Sequence, residues 1–163
     1  MNWMWWILSA GAATIVGAAI AWQFWLRRRV RERGLVQARK RFHHEREYLE
    51  AKFLEFAGGS GKPRGLNWES CDFEDDVSYA RDRESGELAA FVGVTIRFSA
   101  IEGGPMEDVE AVSNLRAATA VFLFRSGRWT TEGRTIFNLN PNEAIHHFHT
   151  KLERVAEDPA ART

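Results

Sequence analysis

Five histidines, a single cysteine and a short run of carboxylates are the residues of this 163-residue chain best equipped for chemistry. His146 and His149 stand three apart, which puts two imidazoles on one side of a helix. His147 lies between them, and His43 and His44 lie far upstream. Zinc takes about four ligands in tetrahedral geometry, so such a pair would need partners from elsewhere. No H-E-x-x-H run and no cysteine pair provides them. Solvated histidines beside an apolar stripe are the plainer reading. Asp72, Glu74, Asp75 and Asp76 offer paired acids or a cation site, but alternation along a strand spreads them over two faces, and they lack an EF-hand pattern. Asp75 falls on the apolar side with Cys71 and Tyr79. A buried carboxyl there would titrate high and serve a pocket, whereas pairing with Arg81 or Arg97 would make it a rim charge. Trp68, Trp129 and Phe137 extend that candidate ligand pocket, Asp75 and Tyr79 included, between sheet and helix; the same rings serve packing equally well. Cys71 as a nucleophile would need a neighbouring base that no spacing supplies.

Phosphate chemistry is excluded at the glycine-rich stretch Gly58-Gly59-Ser60-Gly61-Lys62-Pro63. In a phosphate-binding loop Phe56 would have to be glycine and Pro63 a serine or threonine. A helix end and linker explain the stretch better. No cofactor is expected.

The elements that must position these residues follow from periodicity. Leu35, Phe42, Leu49 and Phe56 recur every seven residues among charged neighbours, which predicts an amphipathic helix from about Arg27 to Ala57. Four strand-like segments come next. The first, Cys71 to Arg83, alternates Cys71, Phe73, Val77 and Tyr79 against acids. A turn at Glu84–Glu87 leads to a second strand with Leu88, Ala90, Val92, Val94, Ile96 and Phe98 on one side. An acidic loop, Glu102 to Glu110, precedes a third strand near Leu115 to Phe124, apolar on both faces. Arg125-Ser126-Gly127-Arg128 turns into a fourth over Trp129 to Leu139. Asn140, Pro141 and Glu143 then make a capping box for a last helix carrying Ile145, Phe148, Leu152 and Val155.

Helix, four-stranded antiparallel sheet and C-terminal helix predict an α+β domain of about 100 residues with one modest core. A curved sheet wrapped on a helix resembles the cystatin-like and NTF2-like architectures. The resemblance is one of topology alone and implies no residue's role.

Residues Trp3 to Leu26 form an uncharged, mostly apolar run ending at Arg27, Arg28 and Arg29. As a helix it would cover about 35 Å, against about 30 Å of hydrocarbon. Trp3, Trp5 and Trp6 at one end, and Trp22 and Trp25 at the other, match interfacial aromatic belts. The expectation is a single-pass transmembrane anchor over 1–26, N-terminus out, with the C-terminal domain cytoplasmic by the positive-inside rule. Ser9, Ala13, Gly17 and Ala21 recur every four residues, a spacing that lets two membrane helices approach.

Charge is segregated. The chain is neutral overall, yet residues 27–46 hold nine Lys/Arg and two Asp/Glu, so they carry +7 and the rest carries −7. The basic stretch suits anionic lipid headgroups of a membrane bilayer. Nucleic acid is not an expected partner, because the folded part has the wrong sign. The organisation expected is a membrane anchor over 1–26, a basic juxtamembrane helix over 27–57, a linker over 58–66, an α+β domain over 67–157 and a disordered tail over 158–163. The functional expectation is a membrane-anchored interaction or scaffolding module, more plausibly not an enzyme, with a protein partner or a second copy. The alternative is a small-ligand or enzymatic pocket between sheet and helix.

Overall fold

A computed structural model describes residues 22–23, 34–58, 66–109, 112 and 114–155. The chain divides into two compact units, Met1–Arg41 and Phe42–Thr163. In the first, Trp22 and Gln23 are helical and exposed, and residues 34–41 are helical with Ala38 buried. The second unit holds the rest of that helix and the whole sheet. The helix, α1, spans 34–58; then come β1 (Leu66–Asp82), β2 (Leu88–Ala100), β3 (Arg116–Arg125), β4 (Arg128–Thr130), β5 (Thr135–Phe137), α2 (Pro141–His147) and β6 (Leu152–Arg154).

The antiparallel sheet runs β4-β3-β2-β1-β6, with β5 also pairing β3. Its long inner strands follow from the sequence. On β2 the alternating set Leu88, Ala90, Val92, Val94, Ile96 and Phe98 is buried on one face. Ala89 and Phe91 are buried on the other, so the strand is covered from both sides as a central strand must be. The stripe of α1 packs on the first face. Phe42 and Phe53, three turns apart, are its pegs. Phe42 stacks edge-on at 4.9 Å from Trp129, 5.4 Å from Phe122 and 6.1 Å from Tyr79. Phe53 meets Phe73 at 5.7 Å, Phe122 at 5.8 Å and Trp68 at 6.3 Å. Centroid distances of this kind add about 0.5–1.5 kcal/mol per pair beyond burial. On the second face Ala144 and Ile145 of α2 seal a smaller cluster with Ala80, Ala89, Phe91 and Val121.

Four expectations are corrected here. The sheet has six strands rather than four. The expected fourth strand is split into β4 and β5 by Thr131–Arg134, where Gly133 takes φ 71° and backs directly onto Ala57 of α1. The final helix is shorter than its periodicity implied. It stops at His147, Lys151 N–H and Leu152 N–H both donate to Phe148 O, and the chain re-enters the sheet as β6 against Ala80–Asp82. Lastly, no helix among the described residues is long and apolar enough to cross a membrane. The described helix α1 mixes charged and apolar residues along its length. The transmembrane segment, the single-pass membrane address and the cytoplasmic orientation drawn from it are therefore withdrawn. Apart from Trp22, the residues proposed for the anchor and for helix–helix packing (Trp3, Trp5, Trp6, Trp25, Arg27, Arg28, Arg29; Ser9, Ala13, Gly17, Ala21) lie outside the described residues.

Candidate functional site

Two bulges on β1 decide where its side chains go. Trp68 pairs with Phe98 but Ser70 with Arg97, so Glu69 is an extra residue. Phe73 pairs with Val94 and Val77 with Val92, which leaves Glu74, Asp75 and Asp76 together opposite Gly93. All three are exposed. Arg46 of α1 reaches over this bulge, its Nη1 donating to Asp75 O at 2.8 Å and its Nη2 to Glu74 O, while its Nε bonds Glu50 Oε1 at 2.6 Å. Arg46 thus holds the backbone of the bulge, and Asp75 projects to solvent instead of into the apolar layer. The acids of β1 have a structural use. β6 pairs only with Ala80–Asp82, and charged, bulged residues along the remaining edge discourage strand addition.

The five residues proposed for a pocket do not converge. Tyr79 and Trp129 face each other at 6.2 Å beneath Phe42. Trp68 lies under Phe53, its Nε1 buried without a hydrogen-bond partner among the described residues. Phe137 sits at the end of the sheet, joined to Trp68 only through Phe98, at 6.3 Å and 5.6 Å. Phe42, Leu49, Phe53 and Phe122 are all but inaccessible, so the space between helix and sheet is filled around them. Tyr79 and Trp129 pack that space, whereas Trp68 lines a separate hollow and Phe137 lines another at the end of the sheet.

His146 and His149 do come together, their ring centroids 5.8 Å apart, but both are exposed and His149 Nδ1 is hydrogen-bonded to His146 O at 2.9 Å. Among the described residues no group of three His, Cys, Asp or Glu side chains is placed to hold a metal ion. His43, beside Phe42, is held toward its neutral form by burial and by Arg46. Cys71 is half-buried, and burial together with Asp72 and Glu50 pushes its thiol up to about 12, the opposite of what a nucleophile needs.

Besides a hollow of about 380 Å³ lined by Leu54, Gly58, Trp68 and Cys71, two surfaces stand out. One is a groove of about 360 Å³ on the second sheet face, floored by Phe91, Val121 and Ile136. Several of its charges are answered within it, and Arg134 and Lys151 line it as well. Arg125 binds Glu87 at 3.2 Å and Glu132 at 2.6 Å, and Asp82 accepts the Ser85 amide at 2.7 Å and its hydroxyl at 2.9 Å, bonds that hold the Asp82 carboxyl below its usual range.

The other surface is the end of the sheet where β1 begins, β2 ends and β3 begins. The loop leaving β2 is a string of tight turns: Gly104 N–H donates to Ile101 O, Glu107 to Gly104 O, Val109 to Met106 O and Val112 to Val109 O. Three-residue turns bring Met106, Val109 and Val112 to one side. There they enclose, with Leu66, Phe98 and Phe137, an apolar hollow of about 270 Å³. Around it Leu115 is 56% exposed, Ile101 and Val109 each 40% and Phe137 38%. Phe137 was the member of this surface proposed from the sequence as a site residue. The spacing Met106, Val109, Val112 was the signal for the rest, masked by the acids and glycines between.

No family model, curated protein or solved structure matches this chain. The cystatin-like or NTF2-like architecture expected from a four-stranded topology accordingly gains no support.

Proposed function

We propose that the second unit is a non-catalytic interaction module that engages a protein partner through the apolar end of its sheet. The observation that carries this reading is the apolar hollow that the exposed Val109 and Phe137 line, with the exposed Ile101 and Leu115 next in sequence to the ends of β2 and β3 beside it. Soluble surfaces scatter single apolar residues, whereas a contiguous patch beside a hollow marks a contact surface. An enzymatic reading has less to stand on: the half-buried thiol is held protonated, and the paired histidines are exposed on a helix end.

Quantitative capture from cell extract tests the reading by comparing three forms of the full chain. Leu115→Glu/Phe137→Glu is expected to lose the captured partners. Tyr48→Glu, at an exposed α1 position that lines neither hollow of this end, is expected to retain them. Equal capture by all three forms, at equal melting temperature, overturns the proposal.

A further inference from the structure

The apolar hollow has an acidic neighbour. A second hollow, of about 460 Å³, lies on the other side of Val109 and Val112 and shares Phe98 with the first. Its charged lining comes from Glu69 on the β1 bulge and from Glu107 and Asp108 on the loop. All three are exposed. One ridge of two valines thus separates an apolar depression from an acidic one. Arg116 lines the apolar hollow and not the acidic one, so the acids lie on one side of the ridge.

This pairing has a natural complement. An amphipathic helix presents an apolar row and, a quarter-turn or so around, a polar row that runs parallel to it. With Lys or Arg in the polar row, its apolar anchors at i, i+3 and i+4 would enter the hollow between Met106 and Phe137 while its cations face Glu69 and Asp108. A neutral or acidic helix would bury its apolar row equally well but meet like charge across the ridge. We propose that the partner segment recognised at this end is a basic amphipathic helix of another protein, lying along the Val109–Val112 ridge. This inference rests on the apolar end being the contact surface, and it adds the chemistry of what docks there.

The test uses two designed helical peptides with the same leucine row, one bearing lysines on its polar face and the other glutamates, each titrated against the full chain by fluorescence anisotropy. The lysine peptide is expected to bind and the glutamate peptide to bind at least about tenfold more weakly, with the difference shrinking at high salt. Glu69→Lys/Asp108→Lys is expected to weaken the lysine peptide by about tenfold and to leave the melting temperature in place. Glu107 is left intact in that variant because its carboxylate accepts the Gly103 amide at 2.9 Å and shapes the loop. Leu115→Glu/Phe137→Glu is expected to abolish binding of both peptides. Comparable binding of the two peptides, or a lysine peptide indifferent to Glu69→Lys/Asp108→Lys, overturns the proposed partner chemistry and leaves the contact surface standing. A lysine peptide indifferent to Leu115→Glu/Phe137→Glu overturns the location itself, and absence of binding by either peptide overturns the proposed helix.

Discussion

Cys71 stands on β1 with Asp72 beside it and Glu50 of α1 near enough to oppose a thiolate, and the burial that α1 imposes disfavours the charged form further. The thiol, ordinarily near 9, is held up to about 12. Iodoacetamide at pH 8 should therefore label the folded chain slower than the urea-unfolded chain by on the order of a hundredfold. Equal rates would mean that the thiol is not covered. The linkage has a definite sign. A pKa raised in the folded state stabilises the fold fully below pH 9 and loses that contribution between 9 and 12. Cys71→Ala should flatten the fall in melting temperature over that window. Residue type and spacing made several of these side chains visible in the sequence, but not their surroundings. Asp75 and Tyr79 share a parity on β1, and two extra residues opposite Gly93 were enough to turn one outward while the other stays buried. Alternation reads faces correctly only while the register is unbroken.

Among elements, β2 was legible throughout, because every one of its alternating apolar residues is buried on one face. The capping box of α2 was also legible: Asn140 Oδ1 accepts from Glu143 N–H at 2.9 Å and Glu143 Oε2 from Asn140 N–H at 3.0 Å. What local pattern did not contain was the tertiary contact that splits β4 from β5. Thr131 Oγ1 donates to Val121 O at 3.1 Å and accepts from Gly133 N–H at 3.1 Å, which turns the chain out of the β3 ladder. Gly133 then meets the α1 backbone so closely that an added Cβ would lie 2.5 Å from Ala57 N. Two costs combine for Gly133→Ala: a left-handed backbone and a clash with a helix that cannot retreat without unseating Phe53. The expected loss is about 2–4 kcal/mol by urea denaturation. Gly86→Ala is the control, since Gly86 has a similar φ of 72° but open space around it, and should cost only about 1 kcal/mol. If the two variants unfold alike, helix and strand connection do not touch as described. The same reasoning explains β6. Leu152 and Val155 fit a helical repeat, but pairing with β1 offers these residues backbone hydrogen bonds, Val155 N–H to Tyr79 O among them, that a frayed helix end would lack.

At the scale of the whole molecule, the acidic character of the folded part is distributed with purpose. Glu74, Asp75 and Asp76 guard the open edge of β1, and Glu69 and Asp108 border the apolar end. Large aromatics in so small a domain were readable as either a pocket lining or a filling. Only the positions of Phe42 and Phe53, projecting from α1 into the aromatic layer, decide for filling. On the proposed reading the contact surface lies at the end of the sheet, where a loop read as a mere connector supplies Met106, Val109 and Val112. The central claim is thus one of location, and a photoreactive benzoyl-phenylalanine placed at Leu115 in living cells tests it most directly. A discrete higher-mass adduct from Leu115 and from Phe137, absent when the same group replaces Tyr48, is the predicted result. Adducts of equal yield at all three positions, or at Tyr48 alone, would contradict it.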